Sequence, residues 1–115
     1  MTKIIEKPWG HEEIWAHAER YVGKILHIKS GRRLSLQFHE KKEETIRVLS
    51  GNLTLVYGES VDELKTLLLS PGEVFHVSPG LIHRFCAEKS DVTLIEVSTT
   101  EINDVIRIED DFKRI

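Results

Sequence analysis

Four residues of this chain have side chains and spacing suited to metal chemistry: Gln37, His39, Glu44 and His83. Gln37 and His39 are two apart, so on a strand they project to the same face. Glu44 follows a short charged turn and opens the next apolar alternation. His83 arrives from a distant segment, just after Pro79-Gly80. Two imidazoles, a carboxylate and an amide oxygen make a nitrogen and oxygen site for one divalent ion.

Such a site needs a scaffold that brings 37–44 and 83 together. The dominant period of the sequence is two, which is the period of strands. Strands are expected over 24–29, 33–39, 44–50, 53–57, 63–69, 74–77, 83–87 and 92–97. Turn residues punctuate them at Ser30-Gly31, Ser50-Gly51-Asn52, Gly58-Glu59-Ser60, Ser70-Pro71-Gly72, Ser78-Pro79-Gly80 and Lys89-Ser90-Asp91. Gly51-Asn52 between two alternations signals a tight hairpin. No amphipathic helix of ten or more residues is evident. Many short strands at even spacing predict an all-β sandwich or barrel.

The parity of 33–39 has a consequence. One face carries Arg33, Ser35, Gln37 and His39, and the other Leu34, Leu36 and Phe38. If the polar face lines a cavity, the apolar face looks outward and needs cover. A second copy of the chain is the simplest cover, so a homodimer is expected.

The chain has 115 residues, 40% hydrophobic and 30% charged, with a net charge of −3. One domain over 1–115 is expected, with a barrel core at about 22–98 and flanking N-terminal and C-terminal arms. The lone Cys86 allows no internal disulfide and no thiolate zinc cage, and reads as a small core residue. The charge balance gives no reason to expect nucleic-acid binding. No apolar run exceeds three residues, so no membrane span is expected. The first residues lack the apolar stretch of a signal peptide, and a cytoplasmic location is the default.

At the four residues singled out above, the chain resembles the cupin superfamily. The usual first motif is G-x5-H-x-H-x3-4-E-x6-G. Gly31, Gln37, His39, Glu44 and Gly51 fit it, with Gln37 in place of the first histidine. The second motif, P-x-G-x2-H, is nearly met by Gly80 and His83, with Pro79 one position late. A narrower resemblance accounts for the glutamine. The cupin domain of type II mannose-6-phosphate isomerases has the blocks R-P-W-G, R-L-S-L-Q-x-H and P-x-G-x-x-H-R, with an acidic tail. Here the corresponding blocks are Lys7-Pro8-Trp9-Gly10, Arg33-Leu34-Ser35-Leu36-Gln37-Phe38-His39, His83-Arg84 and Glu109-Asp110-Asp111.

This resemblance implies a cupin jelly-roll β-barrel. It also implies zinc at Gln37, His39, Glu44 and His83, with manganese, iron or nickel as other ions such a donor set accepts. The activity implied is interconversion of mannose 6-phosphate and fructose 6-phosphate, an aldose–ketose isomerisation of a sugar phosphate. Two other readings remain open: a non-catalytic sugar-binding cupin, and a metal-dependent oxygenase. Gln37 speaks against the oxygenase, which prefers three histidines or two histidines and a carboxylate.

The supporting residues are less determined. Lys41-Lys42 reads as a solvated turn, yet Lys42 lies between two ligands and can meet a phosphate as a point charge. Arg84 follows His83, and alternation turns it away from the ligand direction unless the strand is distorted, so it reads equally as a surface residue and as the other candidate for substrate binding. Glu96 lies in an apolar strand and is a candidate partner for the ligand histidines. Glu96 and Lys42 are the remaining candidates for a general base. His11, His17 and His27 read as ordinary surface or hydrogen-bonded residues, and His76 as a weak ligand candidate. Trp9-Gly10 reads as packing, and Glu109-Asp110-Asp111 as a solvated terminus.

Overall fold

The structure, a computed structural model, describes residues 2–115. Among these, twelve strands form in chain order: β1 (Lys3–Lys7), β2 (Gly10–His17), β3 (Val22–Ile28), β4 (Arg32–Arg33), β5 (Leu36–Phe38) and β6 (Glu44–Ser50). They continue with β7 (Leu53–Gly58), β8 (Lys65–Leu69), β9 (Val74–Val77), β10 (Ile82–Ala87), β11 (Val92–Ser98) and β12 (Ile106–Glu109). A single 3-10 turn spans Val61–Glu63. No described helix is long and apolar enough to cross a membrane. The first sheet runs β1-β2-β3-β11-β6-β9, and the second runs β12-β5-β10-β7-β8 with β4 also on β10.

The sheets face each other over a core that includes Leu26, Ile46, Val48, Leu55, Phe85 and Leu94. The inward residues change character along each strand. On β11 they run Val92, Leu94, Glu96; on β6, Val48, Ile46, Glu44; on β3, Ile28, Leu26, Lys24; on β10, Ala87, Phe85, His83. Antiparallel register sets Leu94 opposite Leu26 and Val48, and Glu96 opposite Lys24 and Ile46, so the switches fall at neighbouring levels. One end of the barrel is therefore a dry apolar core, and the other is a polar cavity. Alternation along the strands builds the site as directly as it builds the core.

One glycine fixes the chain at each end of the barrel. Gly51 sits at φ 76 in the β6–β7 hairpin, where a Cβ would run into the Asp91 backbone. Gly80, at φ 85, donates its N–H to the His39 carbonyl at 2.7 Å. That bond ties the turn before His83 to the segment that carries His39.

Three differences from the sequence expectations have physical causes. First, the segments outside 22–98 are not loose arms. β1 and β2 extend the first sheet, and β12 pairs with β5 in the second. Their inward residues include Glu12 and Arg107, both facing the cavity, so they lack an apolar–polar alternation. Second, 33–39 is not one strand. It breaks between Arg33 and Leu36, and one step of the alternation is lost there. Leu34 therefore turns inward, into the core and the cavity lining, together with Gln37 and His39. Third, Leu36 is buried by the chain itself. Leu34 and Leu36 thus give no reason for a partner to cover them.

Candidate metal centre

His39, Glu44 and His83 converge at the polar end of the barrel, all buried. One donor atom from each lies within 4.8 Å of the others. His39 Nε2 is 3.0 Å from Glu44 Oε1, and His83 Nε2 is 3.4 Å from the same oxygen. The rings stand 5.0 Å apart, tilted by 52°.

The outer side of each ring is fixed by a backbone carbonyl. His39 Nδ1 meets the Asp104 carbonyl at 2.6 Å, and His83 Nδ1 meets the Leu81 carbonyl at 2.9 Å. A carbonyl only accepts, so each Nδ1 must carry the proton. In the neutral ring this leaves Nε2 as a lone pair, and both lone pairs face a carboxylate. Glu44 Oε2 and His83 Nε2 are buried without a hydrogen-bond partner. Three acceptors aimed at one point, with two orphaned atoms, fit a divalent cation.

Gln37 lines the same cavity, with its backbone opposite His83 across the β5–β10 pair. Its Oε1 accepts a hydrogen bond from Ser35 Oγ at 2.6 Å. An amide oxygen has a second lone pair, which remains for a ligand role.

Behind the donors lies a buried charge pair. Lys42 Nζ is 3.2 Å from Glu96 Oε2 and 3.8 Å from Glu44 Oε2. Burial works against the Lys42 ammonium, but Glu96 and Glu44 outweigh it and raise its pKa. Lys42 is therefore a fixed cation rather than a proton acceptor. Burial also pushes Glu44 upward, yet Glu96, His39, His83 and Lys42 around it together hold it well below its ordinary range. Glu96 is pushed up to about 8 by burial and by the adjacent Glu44.

Arg84 does not reach this cavity. His83 points inward, so its neighbour points out. Arg84 is buried against the other side of the sheet, donating to the Leu34 carbonyl at 2.8 Å and to Glu109 Oε1 and its carbonyl at 3.1 Å each. The expected substrate contact at Arg84 is corrected to a structural one. His76 is exposed and pairs with Glu43 at 2.6 Å, away from the donors.

The matching family is described as mannose-6-phosphate isomerase C-terminal, and the match spans residues 1–111. The chain belongs to this family. Among its relatives, a xanthan biosynthesis protein XanB of Xanthomonas campestris pv. campestris is 31% identical over 114 residues, covering 96% of this chain and 23% of that protein. Mannose-1-phosphate guanylyltransferase ManC of Salmonella typhimurium is 31% identical over 121 residues, covering 100% of this chain and 24% of that protein. The chain thus spans about a quarter of the relatives it matches. CapF, a capsular polysaccharide assembling protein of Staphylococcus aureus, superposes with a TM-score of 0.82 at 18% identity, over 95% of this chain and 34% of CapF. Oxalate decarboxylase of Lactobacillus farciminis superposes with a TM-score of 0.79 at 20% identity, over 93% of this chain and 33% of that one. These two establish the cupin fold and nothing finer.

In this member of the mannose-6-phosphate isomerase C-terminal family, sequence reasoning missed part of the cavity. Ile102, Asn103, Asp104, Val105, Arg107 and Arg114 roof it. Arg107 Nε is buried without a partner. Its backbone lies opposite Gln37 on β5, so it enters the cavity beside the donors. The available signal was the C-terminal block Val105 to Arg114, where both arginines lie. The acidic residues there are not merely solvated. Asp111 binds Arg33 through both oxygens at 2.8 and 2.9 Å, Glu109 binds Arg84, and Asp110 binds Arg114 at 2.7 Å.

Proposed function

We propose that this chain is a metal-dependent aldose–ketose isomerase of a sugar phosphate, interconverting mannose 6-phosphate and fructose 6-phosphate. The observation that carries this reading is one cavity, of about 180 Å³, lined by His39 and Glu44 of the donor centre, by a non-donor carboxyl at Glu96 and by Arg107, whose Nε has no partner. At about 30 Å³ per water, it holds a ligand the size of some six waters, which suits a single sugar.

Zinc at His39, Glu44 and His83, with Gln37, would supply Lewis acidity toward the substrate's C1 and C2 oxygens. The chain's own residues divide the remaining work. Ionised Glu96 takes the proton from C2 of the aldose and returns it to C1, while the hydroxyl proton passes from O2 to O1, through an enediol-type intermediate. Lys42, a fixed ammonium 3.2 Å from Glu96, stabilises that carboxylate whenever it is ionised. Arg107 holds the phosphate by a bidentate contact, which its planar guanidinium suits. Tyr57, Phe75 and Leu81 pack against the core cluster and help keep it dry.

The relatives named as guanylyltransferases match this chain over only about a quarter of their length, so guanylyl transfer is not carried over to it. The deciding experiment is an isomerase assay on mannose 6-phosphate with chelated and zinc-reconstituted protein. Turnover that needs metal and disappears in Glu96→Gln is the expected result. Metal and sugar-phosphate binding without turnover makes the chain a sugar-binding cupin. Consumption of oxygen makes it an oxygenase.

A further inference from the structure

The inner wall of the first sheet carries charge beyond the metal centre. Glu12 on β2 and Lys24 on β3 are buried and line the cavity. Lys24 Nζ stands 3.5 Å from Glu12 Oε2, and Lys7 Nζ stands 3.9 Å from Glu12 Oε1. These are ion pairs longer than a good hydrogen bond, which for N–H to O lies near 3 Å. About a tenth of each side chain stays open, so the donors and lone pairs that the pair does not use face the cavity. Ile14 and Leu26, on the same two strands, show that this wall also accepts apolar residues. An apolar pair would serve packing at least as well.

Their position is regular. Lys24 lies directly across from Glu96 in the β3–β11 pair. Glu96 meets Lys42, and Lys42 meets Glu44. Charges therefore alternate along the wall from the metal centre through Glu96 and Lys24 to Glu12. At about 4.8 Å per strand, β3 lies roughly 10 Å from β6, a gap that the side chains of Lys24 and Glu44 narrow from either side.

We propose that Glu12 and Lys24 form a subsite that reads the hydroxyl groups of a polyol bound with its other end at the metal centre. The inference rests on the sugar-phosphate reading above and assigns the part of the ligand that reading leaves free. A hydroxyl donates and accepts at once. The carboxylate of Glu12 accepts from it, and the ammonium of Lys24 donates to it or to its neighbour. With Lys7 also beside Glu12, the three groups sum to one positive charge, and the Glu12 carboxylate between the two ammoniums supplies the acceptor that a hydroxyl needs and a phosphate does not. The anionic end goes to Arg107, whose buried Nε has no partner.

The test uses the full zinc-loaded chain and sorbitol 6-phosphate, a hexitol phosphate that has no carbonyl and cannot be isomerised. Calorimetric titration compares it with its 3-deoxy and 4-deoxy analogues and with inorganic phosphate. The parent binds the full polyol about tenfold more tightly than at least one deoxy analogue, the scale of a lost hydrogen bond to a charged group. In Glu12→Gln and Lys24→Met that preference collapses to about twofold or less, while phosphate affinity and zinc content stay at parent values. A loss of packing alone would weaken all ligands together and leave the preference intact.

An unchanged preference in both variants, at parent zinc content, overturns the subsite. If either variant fails to fold, the parent decides, because a parent that binds all the deoxy analogues as tightly as the full polyol also overturns it. A parent that discriminates but shows no turnover of mannose 6-phosphate keeps the subsite and removes the isomerase reading, so the two failures are separate.

Discussion

Asp104 accepts from His39 Nδ1 through its backbone carbonyl at 2.6 Å, while its side chain accepts from three amides of the loop that follows His39. Those amides belong to Glu40, Lys41 and Lys42, at 3.1, 2.7 and 2.9 Å. One residue of the cavity roof thus orients a metal donor and fixes the loop that delivers Lys42. Three backbone donors hold its carboxyl at about 2, well below its ordinary value.

Asp104→Ala removes the side-chain half of this arrangement. The loop is freed, and the carbonyl that orients His39 loses its anchor. Zinc affinity is expected to fall about 10-fold to 100-fold, the usual scale for losing an orienting partner. Asp104→Asn keeps one acceptor oxygen and is expected to fall less. Competition against a chelator measures both, and parent affinity in Asp104→Ala would remove Asp104 from the metal centre.

The donors themselves are expected to rank. His39→Ala and His83→Ala each delete a nitrogen donor and should leave little bound zinc after chelation and reconstitution. Gln37→Ala removes a neutral oxygen already engaged by Ser35, so it should retain most of the metal. Stoichiometry by mass spectrometry checks this order. Equal metal in the histidine variants and the parent would mean that the cavity serves an organic ligand alone.

How far the sequence revealed this site depended on where each residue's signal lay. His39, Glu44 and His83, which the structure brings together, and Gln37, which lines the same cavity, stood out because ligand types lay at motif spacing. Most strands were legible because they alternate apolar and polar residues. β1, β2 and β12 escaped because their inward positions include Lys7, Glu12 and Arg107, which face the cavity rather than the core. Arg84 stayed undecided because alternation turns it away from the donors while a distorted strand would return it, and its contacts with Leu34 and Glu109 fix it outward. The slip between Arg33 and Leu36 left no local mark, since it is set by pairing of Leu34 N–H with the Phe85 carbonyl.

Arg107 and Arg84 should separate cleanly by kinetics. Arg107→Met leaves the fold in place and is expected to raise KM for the phosphorylated sugar about tenfold or more, the scale of a lost charge-assisted contact. Arg84→Met leaves the Leu34 carbonyl unpaired and should cost about 2 kcal/mol of stability with little change in KM. Thermal unfolding and steady-state kinetics on both variants test the assignment. A KM effect confined to Arg84→Met would reverse it.

We propose that the expected homodimer forms through the outer face of the first sheet. Trp15, Leu49, Val74 and Val97 are exposed there, with Ile25 beside Ile95 in register. Glu13 flanks Ile25 on one side, and Arg47 flanks Ile95 on the other. A twofold axis parallel to the strands, between β3 and β11, would place Glu13 of one copy against Arg47 of the next. Glu13→Arg alone should weaken the dimer, and adding Arg47→Glu should restore it. Sedimentation at micromolar concentration reads the outcome, and a monomeric parent would end the proposal.

The last expectation concerns acid. The C-terminal segment that roofs the cavity is fastened by Asp110, whose fully covered side chain binds Arg114 at 2.7 and 3.1 Å and accepts its backbone N–H at 2.8 Å. The Arg114 guanidinium holds the Asp110 carboxyl well below the usual carboxylate range. A carboxyl with a depressed folded pKa binds fewer protons folded than unfolded. Its stabilisation is therefore complete above the unfolded value of about 4 and is lost as pH falls through the folded value. The melting temperature of the parent should exceed that of Asp110→Asn by a constant margin from neutral pH to about 5, and the margin should shrink below about 4. Chelated protein is the right sample, because acid also strips metal and would mask the effect. Asp111→Asn, at the exposed pair with Arg33, should show a smaller margin, since water screens that pair. A margin for Asp110→Asn that persists unchanged into strong acid would show that the Arg114 contact does not fasten the roof.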